Sequence, residues 1–281
     1  MSIHDNQTRR DVLKSGLAGI SGAAIGAGSF AFSSGADESD DGKEKVRYSE
    51  LLPHEFRKRL TDKPLAYLPM GTLEWHGEHL PIGSDAIQCE ALMVECARQY
   101  GGIVLPPIHV GPGPTKLMDD GRLLIGMDFW NNIVNPPRQL DGDCYWIPDG
   151  LFISLTDAIL AQCKRTGFRA VFADGHGPSR SSWIRELKRR EVHFGLKLFG
   201  VTSDIQDQWK SQIDHAARNE TSLMIHYRPD RVDMSQLPKS RSDWPLGVAG
   251  DDPRDATAEH GSECKHASIE LMIQKFREAG I

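Results

Sequence analysis

The run Pro64-Leu65-Ala66-Tyr67-Leu68-Pro69-Met70 leads directly into Gly71-Thr72-Leu73-Glu74-Trp75-His76-Gly77-Glu78-His79-Leu80-Pro81-Ile82-Gly83-Ser84-Asp85. The first seven residues are apolar and of strand length, and they read as a strand buried on both faces. The loop after them concentrates carboxylates and imidazoles at the strand's end. Glu74 and His76 are two residues apart, so on an extended chain their side chains fall on the same side. Pro81 and Gly83 allow the loop to fold back and carry Asp85 toward them. Oxygen and nitrogen donors without a thiolate suit zinc, manganese or iron rather than a structural cysteine site.

Downstream, residues 86–100 read as a helix with Ile87, Ala91, Leu92 and Cys96 on its apolar face, closed by Gly101-Gly102. A short strand over 103–105 precedes an irregular stretch, 106–149, rich in Pro, Gly, Asp and aromatics. A helix over 151–166 ends at Gly167, and a second strand, 169–173, runs into the polar turn Asp174-Gly175-His176-Gly177-Pro178-Ser179. A helix to about residue 192, a strand over 196–201 and helices beginning near Asp214 and Ala256 complete the chain. Strands alternating with helices predict an α/β fold, a mainly parallel sheet covered on both faces. Ligands collect beyond the carboxyl ends of such strands, where both histidine-bearing turns fall.

With 281 residues, 39% of them hydrophobic, the chain is long enough for a full core, read as one domain over 46–281. Thirty-three basic against 39 acidic residues give a net charge of -6 and no broad basic surface, which argues against a nucleic-acid partner. The five cysteines, Cys89, Cys96, Cys144, Cys163 and Cys264, show no C-x-x-C spacing and define neither a zinc knuckle nor a disulfide framework. Cys89 and Cys96 read as small core residues.

Residues 1–36 resemble a twin-arginine export signal: Thr8-Arg9-Arg10-Asp11-Val12-Leu13-Lys14 precedes a Gly/Ala/Ser-rich run less hydrophobic than a membrane span of about 20 apolar residues. Residues 37–45 form a polar linker. The expectation is export of the folded protein by the twin-arginine machinery to the periplasm, cleavage near Ala36, and no stable membrane span in the mature chain.

Four ordered motifs resemble those of the creatininase (creatinine amidohydrolase) family: Glu74-Trp75-His76-Gly77-Glu78-His79-Leu80-Pro81 with Asp85; Gly175-His176-Gly177; Asp214-His215-Ala216 with Glu220-Thr221-Ser222; and Gly250-Asp251-Asp252-Pro253 with Ala256-Thr257-Ala258-Glu259. The resemblance implies a three-layer α/β/α sandwich with a dinuclear centre of two divalent metal ions per chain, zinc or manganese with iron admitted. It also implies a homo-oligomer, commonly a hexamer. By resemblance Glu74 and His176 are ligands of one metal, His76 of the other, and Asp85 bridges them. Two close cations lower the pKa of a water between them enough to supply hydroxide at neutral pH.

The family's namesake carries a ligating Glu two residues after the His matched by His176, where this chain has Pro178. Glu220 is expected to substitute, with Glu259 in reserve. His215 matches a family histidine beside the substrate and is assigned general acid/base work, for which an imidazole is suited. His79 is expected to orient a ligand from behind. His109, Trp130 and Trp146 are candidate substrate contacts, the tryptophans because the segment 116–149 sets Phe129, Trp130, Tyr145 and Trp146 among six aspartates, a composition suited to a sugar or polyol ring. The expected activity is hydrolysis of a small cyclic substrate, a cyclic amide or an oxidised cyclic polyol or keto sugar, by metal-bound hydroxide attacking a carbonyl. The alternative is a non-catalytic, metal-containing periplasmic ligand-binding or scaffold protein.

Overall fold

A computed structural model describes residues 44–130 and 133–281. The expected export signal and most of the expected linker lie outside the described residues. Among those described, no helix is long and apolar enough to cross a membrane.

Strand β1 (Leu65–Met70) is buried at every position, as the apolar run requires. It pairs in parallel with β2 (Ile103–Val104) on one side and β5 (Ala170–Gly175) on the other, and β5 pairs in parallel with β6 (Lys197–Phe199). The sheet order is β2-β1-β5-β6. Alternation sorts the strand residues into two cores. Leu65, Tyr67, Val104, Ala170 and Phe172 pack with Leu92, Met93 and Cys96 of α2 (Ser84–Tyr100) and with Ile269, Met272 and Phe276 of α6 (Ala258–Glu278). Ala66, Leu68, Ile103, Val171 and Ala173 pack with Phe152, Leu160 and Cys163 of α3 (Asp149–Thr166) and Trp183 of α4 (Gly177–Phe194). The result is the expected three-layer α/β/α sandwich. Helix α1 (Pro53–Asp62) adds Phe56 and Leu60 to the second core, and α5 (Arg218–Tyr227) packs mainly on α6.

Three local expectations need correction. Helix α2 begins at Ser84, so Asp85 lies in its first turn, where the partial positive charge of the helix end favours a carboxylate. Helix α5 begins at Arg218 rather than near Asp214; Asp214 instead caps it, its two oxygens accepting the Asn219 and Glu220 amides at 2.7 and 3.0 Å. The stretch expected to be irregular contains an antiparallel hairpin, β3 (Thr115–Leu117) with β4 (Leu123–Ile125). Cys89 and Cys96 are buried as read, Cys163 and Cys264 are buried as well, Cys144 is exposed, and all five cysteines are free.

The register of β1 against β5 sets the position of the site. Leu65 pairs with Ala170 and Met70 with Gly175, so the two strands end level and both histidine turns emerge side by side. The Met70 carbonyl accepts the His176 amide at 2.7 Å. Gly71 allows α2 to start against this end: a Cβ there would lie 2.5 Å from the Ala86 Cβ.

Candidate metal centre

Six titratable side chains meet at the carboxyl ends of β1 and β5. Three groups of ligand-type atoms each lie within 4.8 Å of one another: Glu74, Asp85 and His176; His76, Asp85 and Glu220; Glu74, His76 and His215. Asp85 belongs to the first two groups.

His76 is fixed by donating from Nδ1 to the Glu74 carbonyl at 3.1 Å. Its Nε2 has no hydrogen-bond partner and faces Asp85 Oδ1 at 3.5 Å and Glu220 Oε2 at 3.6 Å. His176 Nδ1 meets Ser179 Oγ at 2.9 Å, and its Nε2 stands 3.8 Å from Glu74 Oε1. These separations exceed hydrogen-bond length. They suit two atoms around one cation, since ligands about 2.1 Å from a metal at a tetrahedral angle stand roughly 3.4 Å apart. Asp85 Oδ2 is likewise buried without a hydrogen-bond partner. Buried polar atoms left unpaired are costly, so a donor set with free lone pairs fits a cation.

The electrostatics agree. Burial and the nearby Asp85 charge push the Glu74 carboxyl well above its ordinary range, and burial raises Glu220 to about 8. Burial opposes charge on His76, but Asp85, Glu220 and Glu74 outweigh it and raise the imidazole to about 10. Burial also works against the Asp85 charge, but His76 reverses that and holds this carboxyl below its usual value. Three carboxylates crowded into a buried space call for positive charge, which divalent ions supply.

Pro178, at the start of α4, leaves the family's second carboxylate position without a ligating atom. Glu220 instead enters from the first turn of α5, its Oε2 accepting the Ala216 amide at 2.8 Å. The structure does not bring Glu259 into the cluster: it is exposed in the first turn of α6. His79 is buried with Nε2 2.9 Å from Thr221 Oγ1, beside Glu220 in sequence, and burial lowers its pKa to about 4. His215 lies against the cluster, its ring centroid 4.5 Å from that of His76.

The cluster opens into a cavity of about 1250 Å³ lined by Trp130, Tyr145, Trp146, Arg180, Gln212 and Ile213, among others. Trp130 approaches His215 edge-on, with ring centroids 6.5 Å apart. His109 is exposed and outside the lining, so the expectation that it contacts substrate is not supported; position after a strand says nothing about which way a side chain turns. His54, His193, His226, His260 and His266 also lie outside the lining.

Sequence reading missed three supporting residues. Asp143 accepts the Trp75 amide at 2.5 Å, between Glu74 and His76, and burial raises its pKa to about 7. Arg180 pairs with the buried Asp174 through two contacts, 2.5 and 3.0 Å long. Gln212 Nε2 donates to Asp85 Oδ1 at 2.9 Å. Asp174 lies in a recognisable turn, but Gln212 belongs to a segment without a motif signal.

A profile described as "Creatininase: Creatinine amidohydrolase" matches residues 49–126 and 143–276. The mycofactocin precursor peptide peptidase of Mycolicibacterium smegmatis is 25% identical over 221 residues, which cover 70% of this chain and 78% of that protein. The creatinine amidohydrolase of Pseudomonas putida is 24% identical over 189 residues, 60% of this chain and 66% of the relative. A crystal structure of creatininase superposes with a TM-score of 0.63 at 19% identity, covering 84% of this chain and 98% of that one. Other similar creatininase structures include a Zn–Zn type and a manganese form, each with a TM-score of 0.61, at 18% and 19% identity. With a profile match over most of its length and the same fold, this chain belongs to the creatininase family of hydrolases.

Proposed function

We propose that this chain is a dinuclear metal-dependent amidohydrolase. The observation that carries the reading is Asp85, shared between two ligand groups whose remaining members are Glu74 with His176, and His76 with Glu220. In this reading each pair would hold one cation, and Asp85 would offer a carboxylate oxygen to both groups. Bound there, two divalent ions, zinc or manganese by analogy with the creatininase structures, supply a water acidic enough to ionise near neutral pH and polarise a carbonyl.

The protein's own residues complete the chemistry. His215 donates from Nε2 to the Trp75 carbonyl at 2.7 Å, which fixes its tautomer and leaves Nδ1 as a bare acceptor 3.9 Å from Glu74 Oε1. Burial lowers its pKa to about 3, so at neutral pH the ring is uncharged, and in this reading it takes a proton at Nδ1 only as negative charge develops beside it in the reaction. In this reading His215 then passes that proton to the departing nitrogen. Trp130 and Trp146 exclude water and offer flat apolar faces to the substrate.

The cavity exceeds the 300–1,000 Å³ usual for small-molecule sites, which supports an amide carried by a larger molecule than a single small ring. The peptide substrate named for the mycobacterial relative points the same way. We also propose export through the twin-arginine route, tested by fractionation and N-terminal sequencing of the mature protein, and homo-oligomerisation, tested by light scattering.

Elemental mass spectrometry on tag-free protein, wild type against Glu220→Ala, tests the centre. About two metals per chain falling toward one supports it; a wild type that takes up no metal on reconstitution refutes it and favours a binding or scaffold protein.

A further inference from the structure

Gln212 joins the cluster of ligand-type residues to the cavity lining through a neutral amide. Its side chain is 6% exposed and lines the cavity. Nε2 donates to Asp85 Oδ1 at 2.9 Å and lies 3.3 Å from the Asp85 backbone carbonyl. Both partners accept: a backbone carbonyl can only accept a hydrogen bond, and the carboxylate oxygen beside it accepts from the same nitrogen. The amide therefore has one allowed orientation, with nitrogen toward Asp85 and oxygen on the other side. That oxygen, Oε1, is buried and has no hydrogen-bond partner.

The backbone locks this arrangement. Gln212 has a φ of 52°, in the left-handed region that residues with a Cβ seldom adopt. Arg180 holds it there by donating to the Gln212 carbonyl at 3.2 Å while its other nitrogens are pinned to Asp174. The side chain cannot turn Oε1 back to a protein donor without giving up its bond to Asp85.

We propose that Gln212 is a specificity residue whose Oε1 accepts a hydrogen bond from the N–H beside the scissile carbonyl, so that the enzyme selects primary and secondary amides over tertiary amides and esters. This rests on the dinuclear reading above and narrows its substrate class. A buried acceptor with its orientation fixed discriminates strongly, because an analogue without the donor leaves it unpaired. The same amide positions Asp85, which ties substrate choice to the carboxylate shared by both ligand groups.

The test uses metal-loaded full-length protein and two metal-directed probes, acetohydroxamic acid, which has an N–H, and N-methylacetohydroxamic acid, which does not. Calorimetric Kd values are measured for wild type and for Gln212→Met, with metal content determined on the same samples. The expected result is a preference of about tenfold for acetohydroxamic acid in wild type that collapses toward unity in Gln212→Met, with metal content retained. Equal Kd values for the two probes in wild type overturn the proposal while leaving the metal centre standing. So does a preference that survives Gln212→Met. A wild type that takes up no metal overturns the dinuclear reading itself and this inference with it.

Discussion

His215 Nε2 donates to the Trp75 carbonyl at 2.7 Å, and Trp75 is the residue between Glu74 and His76. The loop that supplies two ligand-type side chains thus also sets the tautomer of the histidine facing them. A tautomer fixed this way keeps Nδ1 unprotonated and directed at the cluster. His215→Gln should lower kcat by roughly 10²–10⁴-fold, the usual weight of a general acid/base, while metal content stays at the wild-type level. Metal loss in this variant would instead make His215 a ligand, as its grouping with Glu74 and His76 permits.

Metal uptake should be proton-linked. Glu220, raised to about 8 by burial, and His76, raised to about 10 by the surrounding carboxylates, hold protons at pH 7 in the metal-free protein, and burial pushes the Glu74 carboxyl upward as well. Ligation requires these protons to leave, so metal affinity should rise with pH from 6 to 9 and binding at pH 7 should release protons. Calorimetry in buffers of different ionisation enthalpy checks this, and heats independent of buffer would contradict it.

Gly111 is the neighbour that gives His176 its room. A Cβ at position 111 would lie 2.8 Å from both His176 Nδ1 and Ser179 Oγ, the two atoms whose 2.9 Å contact orients the ring. Gly111→Ala should weaken metal binding about 10–100-fold, the range for disturbing a ligand's supporting hydrogen bond, with little change in circular dichroism. Unaltered metal affinity would show that the His176–Ser179 contact is not needed for orientation.

Asp174 is buried, and the Arg180 guanidinium pairs with its carboxylate through contacts of 2.5 and 3.0 Å. Asp174→Ala leaves the half-buried Arg180 guanidinium without its carboxylate, which should cost about 1.5–3 kcal/mol of stability, the worth of hydrogen bonds to a charged group. Chemical denaturation reads this directly. Because Arg180 also holds the Gln212 carbonyl, the variant should discriminate less between the two hydroxamates at temperatures where it remains folded.

The α/β architecture was legible because β1 is apolar at every position but for the turn residues around it, and only a strand with both faces covered tolerates that pattern. Helix starts were misplaced where a side chain caps from a distance, as Asp214 does for α5, since capping depends on where the chain bends. The hairpin of β3 and β4 escaped notice because its three-residue strands are short and largely exposed, which leaves little apolar periodicity to read.

For the site, the sequence by itself determined which donor types were present and that two clusters of them follow strands; local spacing and residue chemistry are properties of short segments. Only the tertiary structure decided that Glu220 joins His76 and Asp85 while Glu259 faces solvent, because these residues come from helices separated by long connections and their meeting depends on how α5 and α6 pack. It alone placed Gln212 on Asp85, across 127 positions of sequence. A hydrogen bond acts over about 3 Å, and no spacing along the chain records which distant atoms the folded backbone brings within that distance.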